Sequence, residues 1–413
     1  MTERIDTVVV GGGQAGLAIS WYLTRQGRQH VVLEQGRVGE SWRSQRWDSF
    51  TLVTPNWMLR LPGFPYQGND PDGFLLRDEV VAYLEQYVAL FRPPLRLGVR
   101  VTAVEQKPGS DGYLVKAESA EFETRNVVVA TGLLQQPKIP SFSAGFPAEI
   151  VQIHSGQYRN PSALPAGGVL VVGSGQSGCQ IAEEINQSGR EVYLCVGSVG
   201  RVPRRYRGKD IIWWTNQRGG FDRTVDTLPS PKAKFVAHSH LSGKGLRGHT
   251  LNLHQFARDG VVLLGHLLGI EGSKIILAPD LRESLAKVDE HEANLKKAID
   301  QYVLEAGMHI PEESPPADPE LRDGYQAEVI LELDLGQAGI STIIWAIGYR
   351  FDYSWVRLPV FDEDGYPVQK RGVTAHPGLY FLGMAWLHTG KSGLIFGVGE
   401  DAAHIAADIA TRA

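Results

Sequence analysis

Cysteine is almost absent from this chain, whose 413 residues include only Cys179 and Cys195. Two cysteines cannot build the disulfide framework of a small secreted protein, and this pair is not a C-x-x-C motif. A reducing cytoplasm is therefore the expected location. The apolar run at residues 5–10 ends at three glycines and is too short for a secretion signal.

A strong charge of one sign and a long apolar run are also lacking. The net charge is −5, which disfavours sequence-independent binding of nucleic acid. The apolar run at residues 260–270 is interrupted by His266, whereas a membrane span needs about 20 apolar residues. We therefore expect a soluble protein with no nucleic-acid or membrane partner.

Glycine, in contrast, is abundant and is concentrated in two similar motifs. There are 47 glycines, well above the usual share of ~7%. Each motif reads G-x-G-x-x-G and stands between a strand-like β-branched run and a helix-like apolar spacing. In that setting the first glycine permits the tight turn, the second admits a pyrophosphate and the third lets the helix pack closely. The repetition predicts two dinucleotide-binding units.

The first motif is followed by an acidic residue at the end of the next predicted strand. Such a carboxylate, about 20 residues after the turn, accepts hydrogen bonds from ribose hydroxyls, which favours FAD. The predicted contacts of this cofactor are Gly11, Gly13, Gln14, Ala15, Gly16, Glu34 and Gln35.

The second motif has no such acid and is followed by several arginines. Guanidinium groups suit a 2′-phosphate in charge and geometry, which favours NADPH, with NADH as the alternative. The arginines could instead form a solvated basic face. The predicted contacts are Gly173, Gly175, Gln176, Ser177, Gly178, Ser198, Arg201 and Arg204.

Two such units in one chain resemble the two-dinucleotide-binding-domain flavoproteins, and specifically the class B flavin-dependent monooxygenases. Residues 39–43 resemble the G-x-x-W segment of that family, and residues 130–132 and 346–349 resemble its A-T-G(-Y) segments. Residues 154–159 resemble the second half of its F-x-G-x-x-x-H-x-x-x-(Y/F/W) signature, although Ile150 replaces the glycine. The further cofactor contacts assigned in these and nearby segments are Ser41, Trp42, Arg43, Trp47, Thr131, Gly132, Gly348, Gly383 and Leu394.

The resemblance implies an α/β fold of two Rossmann-like domains, with the second inserted into the first. Residues 1–155 and 335–413 would form a discontinuous FAD-binding domain. Residues 156–334 would form an NADPH-binding domain that carries a substrate-pocket insertion. A homodimer is consistent with this family.

The resemblance also implies a reaction. NADPH would reduce FAD, and reduced flavin would react with O₂ to give a C4a-(hydro)peroxyflavin that oxygenates a small N- or S-nucleophile. Asn56 aligns with a family asparagine near the flavin and is the candidate catalytic residue, whereas its position after Pro55 is also typical of a turn. His154 and Tyr158 would either hold NADP or link the domains.

Two other functions remain open at this point: a Baeyer–Villiger ketone monooxygenase, and a flavoprotein reductase without oxygen insertion. The segments at residues 50–70 and 211–260 would supply the pocket, whose aromatic residues could equally be core. Four histidines at 238, 240, 249 and 254 match no standard zinc spacing, so no metal site is expected.

Overall fold

Two mainly parallel sheets, each carrying one of the glycine-rich turns, form the core of the protein. A computed structural model describes residues 2–236, 240–245, 247–312 and 322–412. The α/β class and the two Rossmann-like units expected from the sequence are confirmed.

The first sheet is built around the N-terminal strand, whose β-branched run buries Val8 and Val9 completely. Two neighbouring strands run parallel to it, so that Val10 lies opposite Leu33 on one side and Val129 on the other. Because parallel strands end at one edge, the residues that follow them share one surface. In sheet order the strands are Gln369–Lys370, Val373–Thr374, Leu379–Phe381, Glu121–Val129, Thr2–Val10, His30–Glu34 and Leu95–Leu97, with Val101–Gln106 and Tyr113–Ala117 attached as a hairpin on Glu121–Val129.

Within the ranges given above, the second sheet has five strands, all of them parallel. In order they are Val151–His154, Ile340–Trp345, Gly168–Val172, Val192–Cys195 and Val262–Leu264. The first two of these strands fall on the FAD-domain side of the boundaries expected at residues 155 and 335. Their hydrogen bonds place both in the second sheet, so the inserted unit begins earlier and ends later than the sequence indicates.

Helices cover both sheets, and the helix after each glycine-rich turn packs against its own sheet. The helix Gln14–Arg25 also packs against the C-terminal helix Val398–Thr411. In the described part of the chain, no helix has the length and apolar character of a membrane span. The α-helices are Gln14–Arg25, Glu40–Ser44, Arg77–Phe91, Gln176–Gln187, Ile211–Gln217, Leu253–Arg258, Leu281–Glu305, Asp323–Gln326 and Val398–Thr411.

Short elements make up the connections. Three antiparallel strands, Leu267–Glu271, Lys274–Leu277 and Glu332–Asp334, form a separate small sheet. The remaining strands pair as Arg60–Leu61 with Phe64–Pro65, Gln136–Pro137 with Tyr349–Arg350, Arg205–Tyr206 with Lys209–Asp210, and Leu241–Ser242 with His249–Thr250. The 3₁₀ helices are Asn56–Met58, Ser141–Gly145, Pro161–Ala163, Val225–Thr227 and Pro231–Phe235.

Candidate functional site

The two glycine-rich turns have nearly identical geometry. Gly11 has φ +107° and Gly173 has φ +104°, a backbone conformation that L side chains rarely adopt. A Cβ at Gly11 would lie 2.7 Å from the carbonyl oxygen of Ala130, and one at Gly173 would lie 2.8 Å from that of Ala346. Each turn is therefore pressed against the end of the neighbouring strand, where only glycine fits.

The other glycines of each motif divide into a packed one and an open one. A Cβ at Gly16 or Gly178 would lie 1.8 Å from the carbonyl oxygen of the first glycine of the same turn. A Cβ at Gly13 or Gly175 would meet no heavy atom within 4 Å. The open side is where a pyrophosphate can approach the backbone.

No acidic side chain within the first helical turn compensates the positive end of the helix dipole at either glycine-rich turn. Neither the helix Gln14–Arg25 nor the helix Gln176–Gln187 has an acidic residue in its first turn or a side chain capping its N-terminus. The exposed N–H groups and the helix dipole therefore favour an anion at both places. Ala15 is buried and Ser177 half-buried at the start of these helices, so the contribution of these positions is mainly backbone. The turns fit two dinucleotides.

Glu34 is fixed against the first turn by two backbone amides. Its Oε2 accepts a hydrogen bond from the N–H of Gly12 at 2.7 Å, and its Oε1 accepts one from that of Gly36 at 2.8 Å. Each carboxylate oxygen retains a further lone pair for a ribose hydroxyl. At the equivalent place in the second turn, Ser174 Oγ accepts a hydrogen bond from the N–H of Gly197 at 2.9 Å. Gln35 and Ser198 are both exposed beside these contacts.

The segments after the other strands of the first sheet meet the first turn. Gly383 has φ +80°, and a Cβ there would lie 2.5 Å from Ala15 Cβ. Gln14 Nε2 donates a hydrogen bond to the carbonyl oxygen of Gly393 at 2.8 Å, which holds the loop carrying Leu394. Thr131 is exposed, next to Gly132, which has φ +69° and no neighbour within 4 Å of a Cβ. The structure thus brings these predicted residues to one edge.

The equivalent segments of the second sheet meet in the same way. Gly348 has φ +86° and follows the strand Ile340–Trp345. His154 Nε2 lies 3.0 Å from the carbonyl oxygen of Gly348, and the N–H of Gly156 donates a hydrogen bond to His154 Nδ1 at 3.1 Å. Burial lowers the pKa of His154, so the ring is neutral at pH 7 and donates through Nε2. This histidine therefore holds together two strand ends of the second sheet, and its contact with NADP stays a prediction.

The segment that resembles G-x-x-W links the two units. Ser41 is exposed, and Trp42 is half-buried on the short helix Glu40–Ser44. Arg43 donates to the carbonyl oxygen of Val38 at 3.1 Å and forms an ion pair with Glu85. The predicted cofactor role of Arg43 is therefore weakened, because its guanidinium is turned toward the neighbouring helix. Trp47 is buried, and within the described residues its indole N–H has no hydrogen-bond partner.

Tyr158, the second candidate of the linking segment, is completely buried. Its hydroxyl donates to Glu184 Oε2 at 3.2 Å, and its ring lies 6.4 Å from that of Trp47, measured between centroids. Burial, with Glu184 acting in the same direction, raises the pKa of Tyr158. Tyr158 therefore packs in the core of the second sheet, beside Trp47.

The two arginines predicted to read a 2′-phosphate are both buried in internal ion pairs. Arg201 contacts Asp289 at 2.8 Å and also pairs with Glu292. Arg204 makes two hydrogen bonds to Asp210, at 2.8 and 2.6 Å. Their charge is compensated within the protein, so the structure gives no support to the predicted phosphate contacts. The solvated-face alternative is also wrong for these two residues, which are 6% and 1% exposed.

Asn56, the candidate catalytic residue, lies at the start of a 3₁₀ helix and is buried. Its Nδ2 donates to the carbonyl oxygen of Asp70 at 2.9 Å, and its Oδ1 accepts from the N–H of Leu75 at 2.8 Å. The side chain therefore closes its own loop, as the turn interpretation expects. One amide hydrogen and one lone pair remain, so a contact with the flavin stays a prediction.

An aromatic cluster brings together the two segments expected to supply the pocket, residues 50–70 and 211–260, and the C-terminal loop. The ring of Phe396 lies 5.7 Å from that of Trp57 and 5.9 Å from that of Phe221, measured between centroids. The guanidinium carbon of Arg60 lies 4.6 Å from the Phe396 centroid, and the N–H of Lys391 donates to the carbonyl oxygen of Phe221 at 3.2 Å. We call Trp57, Phe221 and Phe396 the aromatic wall. Phe396 lies outside the two segments expected to supply the pocket, and only its contacts with Trp57 and Phe221 identify it.

Both thiols are enclosed. Cys179 and Cys195 are buried, and Cys179 Sγ donates to the carbonyl oxygen of Ser174 at 3.2 Å. Burial raises the pKa of both thiols, that of Cys195 to about 12. A thiolate, which is the reactive form, is therefore negligible at neutral pH.

The histidines of the 238–254 region do not converge. His249 pairs with Glu183 and His254 with Asp289, while His238 lies outside the described residues. Within the described ranges, no group of three or more metal-ligating side chains occurs.

Comparisons with known proteins agree with this geometry. Residues 8–217 match the family model described as pyridine nucleotide-disulphide oxidoreductase. A CzcO-like oxidoreductase of Geobacillus kaustophilus is 33% identical over 99% of both chains. A probable indole-3-pyruvate monooxygenase of Arabidopsis thaliana is 26% identical and covers 98% of this chain and 86% of its own.

A solved structure extends the similarity to the fold. The flavin-containing monooxygenase from Stenotrophomonas maltophilia superposes with a TM-score of 0.64, at 19% identity, covering 100% of this chain and 99% of its own. The family binds FAD and NADP(H), for which the two turns described above are suited. This chain belongs to the pyridine nucleotide-disulphide oxidoreductase family and is an NAD(P)H-dependent flavoprotein oxidoreductase of the group that includes the class B flavin monooxygenases.

Proposed function

We propose that the protein is an FAD- and NADPH-dependent monooxygenase that works through a C4a-(hydro)peroxyflavin and oxygenates a small organic N- or S-nucleophile. One NADPH supplies two electrons, one atom of O₂ enters the substrate and the other leaves as water. The observation that carries this proposal is the combination of two equivalent phosphate-binding turns with the absence of an accessible thiol. A disulphide reductase needs a reactive thiol beside its flavin, and both cysteines here are buried.

The chain's own residues have a limited set of tasks in this proposal. The turns at Gly11 and Gly173 hold the two pyrophosphates, and Glu34 holds a ribose. The aromatic wall and the loop carrying Leu394 exclude water from the reacting edge of the flavin, which protects the oxygenating species. The flavin itself supplies the oxygen-transfer chemistry when it is bound and reduced.

Aromatic acids belong in the substrate screen beside amines, sulfides and ketones. The aromatic wall offers ring faces, and Arg60 next to it offers positive charge, whereas the ammonium of Lys391 is already paired with Asp222 and Glu400. Such a surface can hold a flat ring and a carboxylate together. Indole-3-pyruvate, named in the description of an Arabidopsis relative, is the first compound of this type to test.

The proposal is tested by rapid mixing of the FAD-loaded protein. The flavin is first reduced anaerobically with NADPH and is then mixed with O₂, with and without each substrate class. We expect a flavin–oxygen adduct absorbing before the oxidised spectrum returns, and an oxygenated product in stoichiometric yield. Direct return to oxidised flavin with every substrate class would contradict oxygen insertion and would favour a reductase. Ester formation from ketones would identify a Baeyer–Villiger enzyme instead.

The same experiment decides the nicotinamide preference, which we propose to be for NADPH. Since Arg201 and Arg204 are paired with carboxylates, a preference would have to come from other groups at the second turn. The rate of flavin reduction by NADPH is expected to exceed the rate with NADH at equal concentration. Equal rates would contradict this part of the proposal without affecting oxygen insertion.

A further inference from the structure

Arg46 is an arginine held between aromatic rings at the junction of the two units. It follows the short helix Glu40–Ser44, two residues beyond its end. Its guanidinium carbon lies 5.4 Å from the ring centroid of Trp42 and 5.6 Å from that of Phe50. Trp42 and Phe50 pack against the core of the first sheet, and Phe50 also packs against that of the second.

The charge of Arg46 has no acidic partner in the described part of the chain. Among the residues that the structure describes, no carboxylate lies within ion-pair distance of its guanidinium, whose one hydrogen bond goes to the carbonyl oxygen of Gln45 at 2.8 Å. The neighbouring Arg43 pairs with Glu85, and Arg77 pairs with Asp48. An arginine has five N–H donors, so Arg46 keeps most of its hydrogen-bonding capacity.

The residues around the Arg46 guanidinium shield it from water, and none of those that the structure describes gives it a negatively charged partner. Burial lowers the pKa of the Arg46 guanidinium, which indicates that the protein encloses this cation at a cost. The residue as a whole is half-buried and so keeps some contact with solvent. A cation in this setting is stabilised when an anion binds against it.

A second cation adds to the positive field at the same place. Arg159 donates to the carbonyl oxygens of Arg46, Gly156 and Tyr158 at 3.2, 3.1 and 3.0 Å, and in the described chain it has no carboxylate within ion-pair distance. Both guanidiniums act on Tyr349, which follows the strand end at Gly348. The two positive groups therefore face the carboxyl edge of the second sheet.

We propose that the Arg46 guanidinium binds a phosphate oxygen of a dinucleotide cofactor where the two units meet. A phosphate matches the planar fork of arginine and would neutralise the uncompensated charge. The phosphate belongs to either NADP(H) or FAD, since the segment touches both units. This inference rests on the binding of two dinucleotides in the proposed function and does not depend on oxygen transfer.

The test replaces Arg46 with glutamine and measures binding on the FAD-loaded protein. Two quantities are determined: the FAD content per chain by absorbance, and the Kd of NADP⁺ by titration of the flavin fluorescence. Arg25→Gln is the matched control, because Arg25 also stacks on a tryptophan, Trp21, at 5.6 Å but is exposed. We expect Arg46→Gln to lower the affinity for one of the two cofactors by about tenfold to a hundredfold, since hydrogen bonds to charged groups contribute that much to binding.

Each outcome has a definite meaning. A higher Kd of NADP⁺ with normal FAD content assigns the phosphate to NADP(H), and loss of FAD with normal NADP⁺ binding to the remaining holoprotein assigns it to FAD. Unchanged FAD content and unchanged Kd would overturn the inference. Binding of NADP⁺ by the parent protein tests the proposed function itself. If the parent protein binds NADP⁺ and the variant is unchanged, only the role of Arg46 is contradicted.

A second variant covers the case in which Arg46→Gln does not fold. Arg46→Lys keeps the positive charge and removes the planar guanidinium, so we expect a smaller, severalfold loss of affinity for the same cofactor. The thermal melting temperature of each variant, recorded with and without NADP⁺, supplies a readout independent of turnover. The inference would also be overturned if Arg46→Lys bound both cofactors as tightly as the parent protein does and showed the same rise in melting temperature on addition of NADP⁺.

Discussion

The side-chain amide of Gln14 donates a hydrogen bond of 2.8 Å to the carbonyl oxygen of Gly393, which lies 379 residues further along the chain. Gln176 occupies the same position in the second turn, and its Oε1 accepts a hydrogen bond from the N–H of Leu241 at 3.0 Å. In both units, therefore, the residue after the open glycine ties the phosphate-binding turn to a segment that is distant in the sequence.

The open glycines should separate folding from cofactor binding. A Cβ at Gly175 meets no atom within 4 Å, so Gly175→Ala should fold with its FAD content unchanged while blocking the approach of the second pyrophosphate. We expect at least a tenfold higher Kd for NADP⁺, measured by flavin fluorescence. Gly269→Ala, which also adds a methyl group in open space, is the control and should bind as the parent does. Equal NADP⁺ affinity in both variants would argue against a pyrophosphate at this turn.

Arg201 should matter for stability rather than for nicotinamide preference. Arg201→Ala leaves Asp289 and Glu292 without their buried partner and should lower the free energy of unfolding by about 3 kcal/mol, measured by urea denaturation. The KM values for NADPH and NADH should change by the same factor. Arg37→Ala, which removes an exposed pair with Glu40, is the control and should lower the free energy of unfolding far less. A selective rise in the KM for NADPH at unchanged stability would restore the 2′-phosphate role.

His240 should make the stability depend on pH between about 4 and 6.5. Burial lowers its pKa from 6.5 to about 4; Arg201 and His291 act in the same direction, and Glu292 and the backbone of Ser174 oppose it. The unfolded chain therefore takes up the proton first as the pH falls. The contribution of the neutral ring is complete above about pH 6.5 and is lost toward pH 4, by roughly 3 kcal/mol at most.

The measurement for His240 is the free energy of unfolding at several pH values in this window. His240→Leu should show a flatter dependence than the parent protein. His309→Leu, which removes an exposed histidine, should follow the parent curve. An unchanged slope in His240→Leu would assign the dependence to other groups.

The cysteines should be dispensable for turnover. Because both thiols are buried and Cys195 has a pKa raised to about 12, the folded protein should not react with a thiol reagent within minutes at pH 7. Cys195→Ala should retain NADPH oxidation at a rate within about twofold of the parent, with any loss traceable to packing. Loss of flavin reoxidation in that variant, at unchanged FAD content, would point to a thiol-dependent reductase.

The two turns could be predicted from the sequence because glycine spacing encodes them locally. Gly11 and Gly16 must avoid backbone atoms only a few residues away or on an adjacent strand, so the motif alone specifies the geometry. The role of Arg201 could not be predicted, because Asp289 and Glu292 approach it from about one fifth of the chain length away. An arginine near a nucleotide motif looks the same in sequence whether a phosphate or a carboxylate neutralises it.

The domain boundaries and the surroundings of Arg46 could not be predicted from the sequence for a similar reason. A buried apolar strand such as Ile340–Trp345 fits either sheet, and only its hydrogen bonds to Val151–His154 and Gly168–Val172 assign it. Arg43 and Arg46 stand in one short motif, and the difference between them is the presence of Glu85 beside one and of aromatic rings around the other. Contacts between distant segments therefore decided what the local pattern left open.

The strand order also restricts when this chain can fold as the ribosome makes it. Ile340–Trp345 lies inside the second sheet, between two strands that are synthesised about 170 and 190 residues earlier, and Leu379–Phe381 joins the first sheet later still. Until these segments emerge, both nascent sheets expose unpaired strand edges, which are prone to association with other chains. Gly393, the partner of Gln14, emerges even later. The contact that closes the first glycine-rich turn can therefore form only after nearly all of the strands of both sheets have been made.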